Sequence, residues 1–329
     1  MDRVDRQIVH CLQRDGRASF RRIADVLGVS EQTIARRYRS LKASGAIRVL
    51  VLSDARASGA QTWFVRIVCR PDGADALAEA IAARDDVSWV SVTSGGGELS
   101  CVTRSNPDDQ ASVLLQRLPR TAQVLSFTAH SVMYMHIGGD AEWLAFDDPL
   151  TEDQVEALLG GAAPARTGAS TPAALREEDG PLLNALSRDG RAGVVELARR
   201  TGWPQSRVSS RLDELLSSGA IGCELDLAPD VFGFRASAYL WMTVAPGELH
   251  ATGESLSRHP ETSFAAAVTG AANLLAVVTC KDAAALYTYV TTKVGALPAV
   301  REVEIVPTLR RVKQAGTLVR NGRLDLAPR

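Results

Sequence analysis

One short stretch near the start of the chain, EQTIARRYRSLK at residues 31–42, gathers amide, hydroxyl and cationic side chains around a few apolar ones. On a helix, Ile34, Tyr38 and Leu41 would face inward, and the opposite side would carry Gln32, Thr33, Arg36, Arg37, Arg39 and Lys42. Amides, hydroxyls and guanidinium forks read base edges in a major groove, whereas cations reaching phosphates set the register. Gln32, Thr33 and Arg36 are therefore candidate base contacts. Arg37, Arg39 and Lys42 are candidate phosphate contacts, joined by Arg21 and Arg22 on the preceding helix. Any one of these could be a solvated surface charge, but residues 1–49 hold 11 Lys or Arg against 5 Asp or Glu, a surplus of 6 that asks for a polyanion.

Such a helix needs a frame. Val4, Ile8, Val9 and Leu12 have helical spacing and end at the turn signal Asp15-Gly16. Ser19 can cap a second helix that Gly28 stops, and Ser30 can cap the third. Short helices around a Gly-containing turn make a helix-turn-helix. The apolar run at 47–52 reads as a small wing or a linking strand.

The frame then recurs. LQRDGR at 12–17 returns as LSRDGR at 186–191, SGAI at 44–47 returns at 218–221, and the offset of 174 holds throughout. Between 12–49 and 186–223, 14 of 38 positions are identical. The second helix-turn-helix (178–226) offers Gln205, Ser206, Arg207 and Arg211 as DNA contacts, but Asp213 and Glu214 put acid on the same helix. Residues 177–223 carry 6 cations against 7 acids. Either this copy reads an unlike half-site, or it is a structural partner.

After each helix-turn-helix, at 60–137 and 232–312, the pattern runs strand, helix, strand, strand, helix, strand. That is the ferredoxin-like order, whose uncovered sheet face wants a partner. In the first copy the helices are expected at 73–83 and 108–118. The expected fold class is α+β: a winged helix-turn-helix plus a ferredoxin-like domain, duplicated in tandem. Residues 138–177, rich in Gly, Ala, Pro and Ser, read as a flexible linker with a short helix at 151–159. Gly95, Gly96 and Gly97 are either a backbone cradle for an anionic group or an ordinary hairpin turn.

Other classes find little support. The five cysteines lack close spacing, which argues against a disulfide framework or a zinc site. His10, His130, His136, His250 and His259 are scattered, so no metal or other cofactor is expected. No GK[ST] loop, GxSxG elbow or HExxH helix is present, and no enzyme is expected. Without a signal peptide or a long apolar span, the expected location is cytoplasmic, away from membranes.

Asp5, the DGR turn at 15–17, Ala24, Gly28, Ser30, Arg36-Arg37, Leu41 and Gly45-Ala46-Ile47 together resemble the N-terminal domain of the Lrp/AsnC family of transcription regulators. The βαββαβ segments are similar to that family's regulatory domain. The resemblance implies double-stranded DNA as partner and an amino acid or other small metabolite as effector. It places the effector near the loops at 94–98 and 269–273, which adds Gly270 and Asn273 to Gly95, Gly96 and Gly97. These loops read GGGELS and GAANLL, where the family pattern continues with an acidic residue and an aromatic. The resemblance also implies self-association through the sheets, within this fused chain and as a homodimer. The competing reading is a ligand sensor or interaction scaffold that keeps the fold without binding DNA on its own.

Overall fold

A computed structural model describes residues 1–53, 59–105, 113–138, 143, 147–160 and 174–326. In chain order the first copy runs α1 (Arg3–Arg14), α2 (Phe20–Leu27), α3 (Glu31–Ala43), β1 (Ile47–Ser53), β2 (Gln61–Cys69), α4 (Ala74–Ala82), β3 (Val87–Thr93), β4 (Glu98–Ser105), α5 (Val113–Arg117) and β5 (Val124–Ile137). The helix α6 (Glu152–Leu159) follows, and then α7 (Gly180–Arg188), α8 (Val194–Thr201), α9 (Gln205–Ser217), β6 (Ile221–Leu227) and β7 (Ala236–Val244). The chain ends with α10 (Leu249–Ser257), β8 (Thr262–Val268), β9 (Leu274–Cys280), α11 (Ala283–Tyr289), β10 (Val300–Gln314), β11 (Thr317–Arg320) and β12 (Arg323–Leu324). Part of the helix expected at 108–118 lies outside the described residues.

The two copies do not fold as two successive bodies. One unit holds residues 1–60 with 146–227, and the other holds 61–145 with 228–329, so each unit takes a part from both copies.

In the helical unit, local chemistry sets the helix ends. Asp2 and Asp5 form a capping box at α1, Ser19 and Ser30 accept from the backbone at the starts of α2 and α3, and Gly28 closes α2 in the left-handed region. Ile8, Leu12, Ile23 and Ile34 are fully buried, as are Leu182, Leu186, Leu197 and Leu215 in the second copy. The strand after α3 is not a wing within its own copy. β1 pairs antiparallel with β6 from Ile47↔Leu227 to Ser53↔Ile221, and so links the two helix-turn-helix motifs. The short helix expected within the linker at 151–159 is present as α6. Thr151 and Gln154 form a capping box on α6, Gln154 Nε2 donates to the Val26 carbonyl, and Leu158 is fully buried where α6 packs on α1 and α2.

In the sheet unit, each copy has the ferredoxin-like order, β5-β2-β4-β3 and β10-β7-β9-β8. The two last strands are unusually long, 14 residues in β5 and 15 in β10. Each serves both copies: β5 pairs with β2 and then, from Val132, with β8, while β10 pairs with β7 and then, from Thr308, with β3. The order therefore closes on itself, which covers edges that would otherwise stay unpaired. The helices cover the outer faces, and the inner faces meet around Phe64, Tyr239, Trp241, Val268 and Leu275. The second sheet domain extends past the expected end at 312, because β10 continues to Gln314 and the β11–β12 hairpin follows.

At one crossing, His136 on β5 lies beneath α10, where a Cβ on Gly253 would fall within 2.1 Å of its Nε2. Both ring nitrogens are buried without a hydrogen bond, the Glu254 carboxylate stands 3.6 Å away, and His250 and Tyr134 lean on the ring. Burial holds the imidazole below its ordinary value of 6.5, against the pull of Glu254. The neutral ring is the folded form, so its contribution is present above 6.5 and lost as pH falls through the depressed value. Melting curves from about pH 7 down to about pH 5 should show an acid loss of stability that His136→Phe reduces. Equal slopes in both proteins would contradict this.

Candidate nucleic-acid interface and effector loops

The DGR turns that mark the repeat are the joint between its copies. Arg17 donates to the carbonyls of Gly190 and, at 3.1 Å, Ala192, and Arg191 donates to those of Gly16 at 2.6 Å and Ala18 at 2.8 Å. The Arg191 guanidinium also lies over the rings of Phe20 and Tyr38. A Cβ on Gly190 would come within 2.7 Å of the Leu50 backbone, so only glycine permits that approach. This reciprocal clasp, with the β1–β6 ladder, fixes the two helix-turn-helix motifs relative to each other. Asp15-Gly16 read as a turn signal, and the identity of DGRA in both copies was the clue to a shared interface. Changing Arg17 and Arg191 together to Ala removes four hydrogen bonds from charged donors. The expected cost is about 3 kcal/mol or more in denaturant unfolding of the helical unit, and a change under about 1 kcal/mol would contradict the clasp.

On α3, Gln32, Arg36 and Arg39 are exposed along the face opposite Ile34, Tyr38 and Leu41. Among the described residues, Arg36 and Arg21 form no ion pair, and Arg39 bonds only to the Ala35 carbonyl of its own helix. The other candidates of the first copy are engaged. Thr33 Oγ1 lies 2.9 Å from Ser30 Oγ within the helix cap. Arg22 reaches the Leu158 carbonyl and lies 3.6 Å from Asp15, and Lys42 is 2.8 Å from Asp189 of the second copy. Arg37, expected at a phosphate, turns back to Asp2 at 2.7 Å and Asp5 at 2.8 Å, which offsets its charge.

The second copy repeats that ion pair in a buried form. Arg211, expected on the DNA-facing side of α9, is 6% exposed and grips the fully buried Asp179 at 2.6 and 2.9 Å. Arg211 and Asp179 are the counterparts of Arg37 and Asp5 at the repeat's offset, and helical geometry turns this position toward the first helix of its own motif. Gln205 and Ser206 are exposed at the start of α9, but Arg207 is paired with Glu178 at 2.6 Å and stacked on Trp203. Arg199 and Arg200 on α8 both bind Glu196. On α8 and α9 the second motif has thus spent its cations on its own acids.

The two glycine loops differ in a similar way. Ser94, Gly95 and Gly96 are all in the left-handed region, and a Cβ on Gly95 or Gly97 would meet nothing within 4 Å. The loop at 269–273 is held instead. His130 Nδ1 contacts the Thr269 carbonyl at 2.6 Å, Ser131 N–H donates to Thr269 Oγ1, and a Cβ on Gly270 would lie 2.7 Å from the His130 ring. Asn273 accepts from Val244 N–H and donates to the Val244 carbonyl, both at 2.9 Å, so its amide closes the loop onto β7. Gly270 and Asn273 are therefore parts of a closed turn, and the open loop is that of Gly95, Gly96 and Gly97.

Two family profiles match this architecture. The AsnC-type helix-turn-helix domain matches residues 1–42 and 178–216, and the Lrp/AsnC ligand binding domain matches 237–318. The HTH-type transcriptional regulator PH0061 of Pyrococcus horikoshii, itself uncharacterised, is 31% identical over 134 residues, 38% of this chain and 88% of that protein. The chain belongs to the Lrp/AsnC family. Another relative, the HTH-type transcriptional regulator FL11 of the same organism, is 23% identical over 145 residues, 44% of this chain and 95% of its own. These Lrp/AsnC relatives have about the length of one copy. The tandem arrangement has a counterpart in a solved structure, the siroheme decarboxylase NirDL, with a TM-score of 0.61 at 15% identity over 95% of this chain and 93% of that one. The duplicated fold is thus also found in an enzyme. Among the described residues no cluster of metal-ligating side chains occurs, and no helix is long and apolar enough to cross a membrane.

Proposed function

We propose that the protein is a sequence-specific transcription regulator that reads DNA through the first copy alone. The observation that carries this is the contrast between the third helices. On α3, Gln32, Arg36 and Arg39 face solvent with no carboxylate partner, with Arg21 alongside on α2. On α9, Arg207 and Arg211 are held by Glu178 and Asp179. Binding through α9 would first require breaking those pairs, and Asp213 and Glu214 would then face the phosphates. In this reading the second motif is a brace that holds the first through the clasp and the β1–β6 ladder. A small-molecule effector at the open loop of Gly95, Gly96 and Gly97 modulates binding, and two chains associate as a homodimer to supply a second reading head. The sensor or scaffold alternative would leave the uncommitted cations of α3 without a purpose.

Fluorescence anisotropy with labelled genomic fragments tests the proposal. Binding should weaken steeply with salt, with a log–log slope of about −0.9 per phosphate contact, and one fragment class should bind at least about a thousandfold more tightly than the rest. Equal affinity for every fragment, or none at low salt, would overturn it.

A further inference from the structure

We propose that Arg66 is the anchor of a ligand site for an organic acid with an apolar body, whose carboxylate takes the place now held by Glu304. This deepens the regulator reading by naming the chemical class of its effector, and rests on that reading only for the effect on DNA.

The argument starts from two facing rows on the inner walls of the sheet unit. Across the first copy's strands run Ser91, Ser100, Arg66 and Thr128, and across the second copy's run Ala266, Leu275, Trp241 and Glu304. Equivalent positions are polar in one copy and mainly apolar in the other, so an occupant replacing Glu304 at the junction of the rows would meet both kinds of surface. Arg66 bridges the rows. Its Nε and Nη2 bind Glu98 at 2.6 and 3.2 Å, its Nη1 and Nη2 bind Glu304 at 2.7 Å each, and the guanidinium carbon lies 5.2 Å from the centre of the Trp241 ring. The Glu304 contact is the two-pronged geometry that a free carboxylate adopts on arginine.

Three further observations point to a ligand in that position. First, the side chain of Glu98 is 10% exposed while that of Glu304 is 54% exposed, so Glu304 can leave for water while Glu98 keeps Arg66 in place. Second, two buried polar groups beside Arg66 have no hydrogen-bond partner among the described residues: Ser100 Oγ, on the residue directly across from Arg66, and Trp241 Nε1. An indole N–H can only donate, and leaving a buried donor unmet is costly, so the pair asks for an acceptor such as a carboxylate oxygen. Third, Val68, two residues along β2 on the same face, is 42% exposed and offers an apolar surface next to the charge. The open loop borders this place directly, since Glu98 follows Gly97 and Ser94 Oγ lies 3.2 Å from Glu98 Oε2. Because Glu304 belongs to the second copy and Arg66 to the first, exchanging Glu304 for a ligand removes a link between the copies. That gives an effector a means to alter their pairing.

The test uses the full-length protein with isotope-labelled indole N–H groups. Phenylacetate is titrated against phenylacetamide, its neutral match, and phenethylamine, its cationic one; the Trp241 signal is identified by its loss in Trp241→Phe. Phenylacetate should shift that signal and the other two should not. Its half-saturation should fall about tenfold in Glu304→Gln, where the competing carboxylate is gone, and should rise in Arg66→Lys, which keeps the charge and loses the fork. If phenylacetate leaves Trp241 unmoved in both the wild type and Glu304→Gln, or if the amide or the amine binds as well as the acid, the proposal is wrong. DNA affinity measured on the same samples without probe separates the two readings. Intact DNA binding with no carboxylate response defeats this inference alone, and a carboxylate response without DNA binding defeats the regulator reading alone.

Discussion

Arg36→Ala should weaken specific DNA binding by about 1–3 kcal/mol and leave the melting temperature unchanged, whereas Arg37→Ala should do the reverse. The two arginines are neighbours in sequence, but they occupy different physical situations. Arg36 points outward on α3 with no acid to release before it meets a base edge or phosphate. Arg37 is tied to Asp2 and Asp5, and its loss removes two ion pairs together with the tether between α3 and the start of α1. Those two carboxylates already offset its positive charge, so a phosphate gains little from it. Anisotropy and thermal unfolding on the same two variants check the pair of outcomes. Equal losses of DNA affinity with unchanged melting in both would contradict this division of labour.

Asp179→Asn should destabilise the helical unit by about 3–5 kcal/mol, because it leaves the buried Arg211 guanidinium without its main counter-charge. Glu214, 2.8 Å from Arg211 but half-exposed, compensates in part. This loss approaches the whole stability of a small domain, so the variant should begin to unfold well below the wild-type denaturant midpoint. The pH dependence has a definite sign. Arg211 first, and then the Arg176 backbone N–H, hold the Asp179 carboxyl below its ordinary 3.8. Its contribution is therefore complete above about 3.8 and is lost as pH falls through the lower folded value. The variant should lack that acid-limb slope. Asp213→Asn, on the exposed side of α9, should change stability by less than about 0.5 kcal/mol and serves as the control.

The sequence made much of this legible because its signals are local. Ser19, Gly28 and Ser30 mark helix ends through their own side chains or backbone, and the identical segments at a constant offset expose the duplication. The strand and helix order of the sheet domains also follows from local periodicity. Long-range contacts were what it hid. Whether an arginine on a helix faces water or an acid depends on where another helix begins, so Arg37 and Arg211 read as DNA contacts until Asp5 and Asp179 were seen beside them. The retention of both members of each pair at the repeat's offset was the available clue. Gly270 and Asn273 looked like an effector loop because His130 and Val244, which close that turn, are far away in sequence. The sharing of β5 and β10 between copies shows only as unusual strand length, and the short helix at 151–159 was legible while its packing through Leu158 onto α1 and α2 was not.

The most direct test of single-copy reading is a selection from random DNA with the wild type, Arg36→Ala and Arg207→Ala. Each enriched pool would be sequenced for the motif it contains. The account predicts one motif in the wild type and in Arg207→Ala, made of a single half-site or of like half-sites repeated by a second chain, and its loss or relaxation in Arg36→Ala. A motif with two unlike halves, one of which disappears in Arg207→Ala, would show that the second helix-turn-helix also reads DNA and would contradict the account.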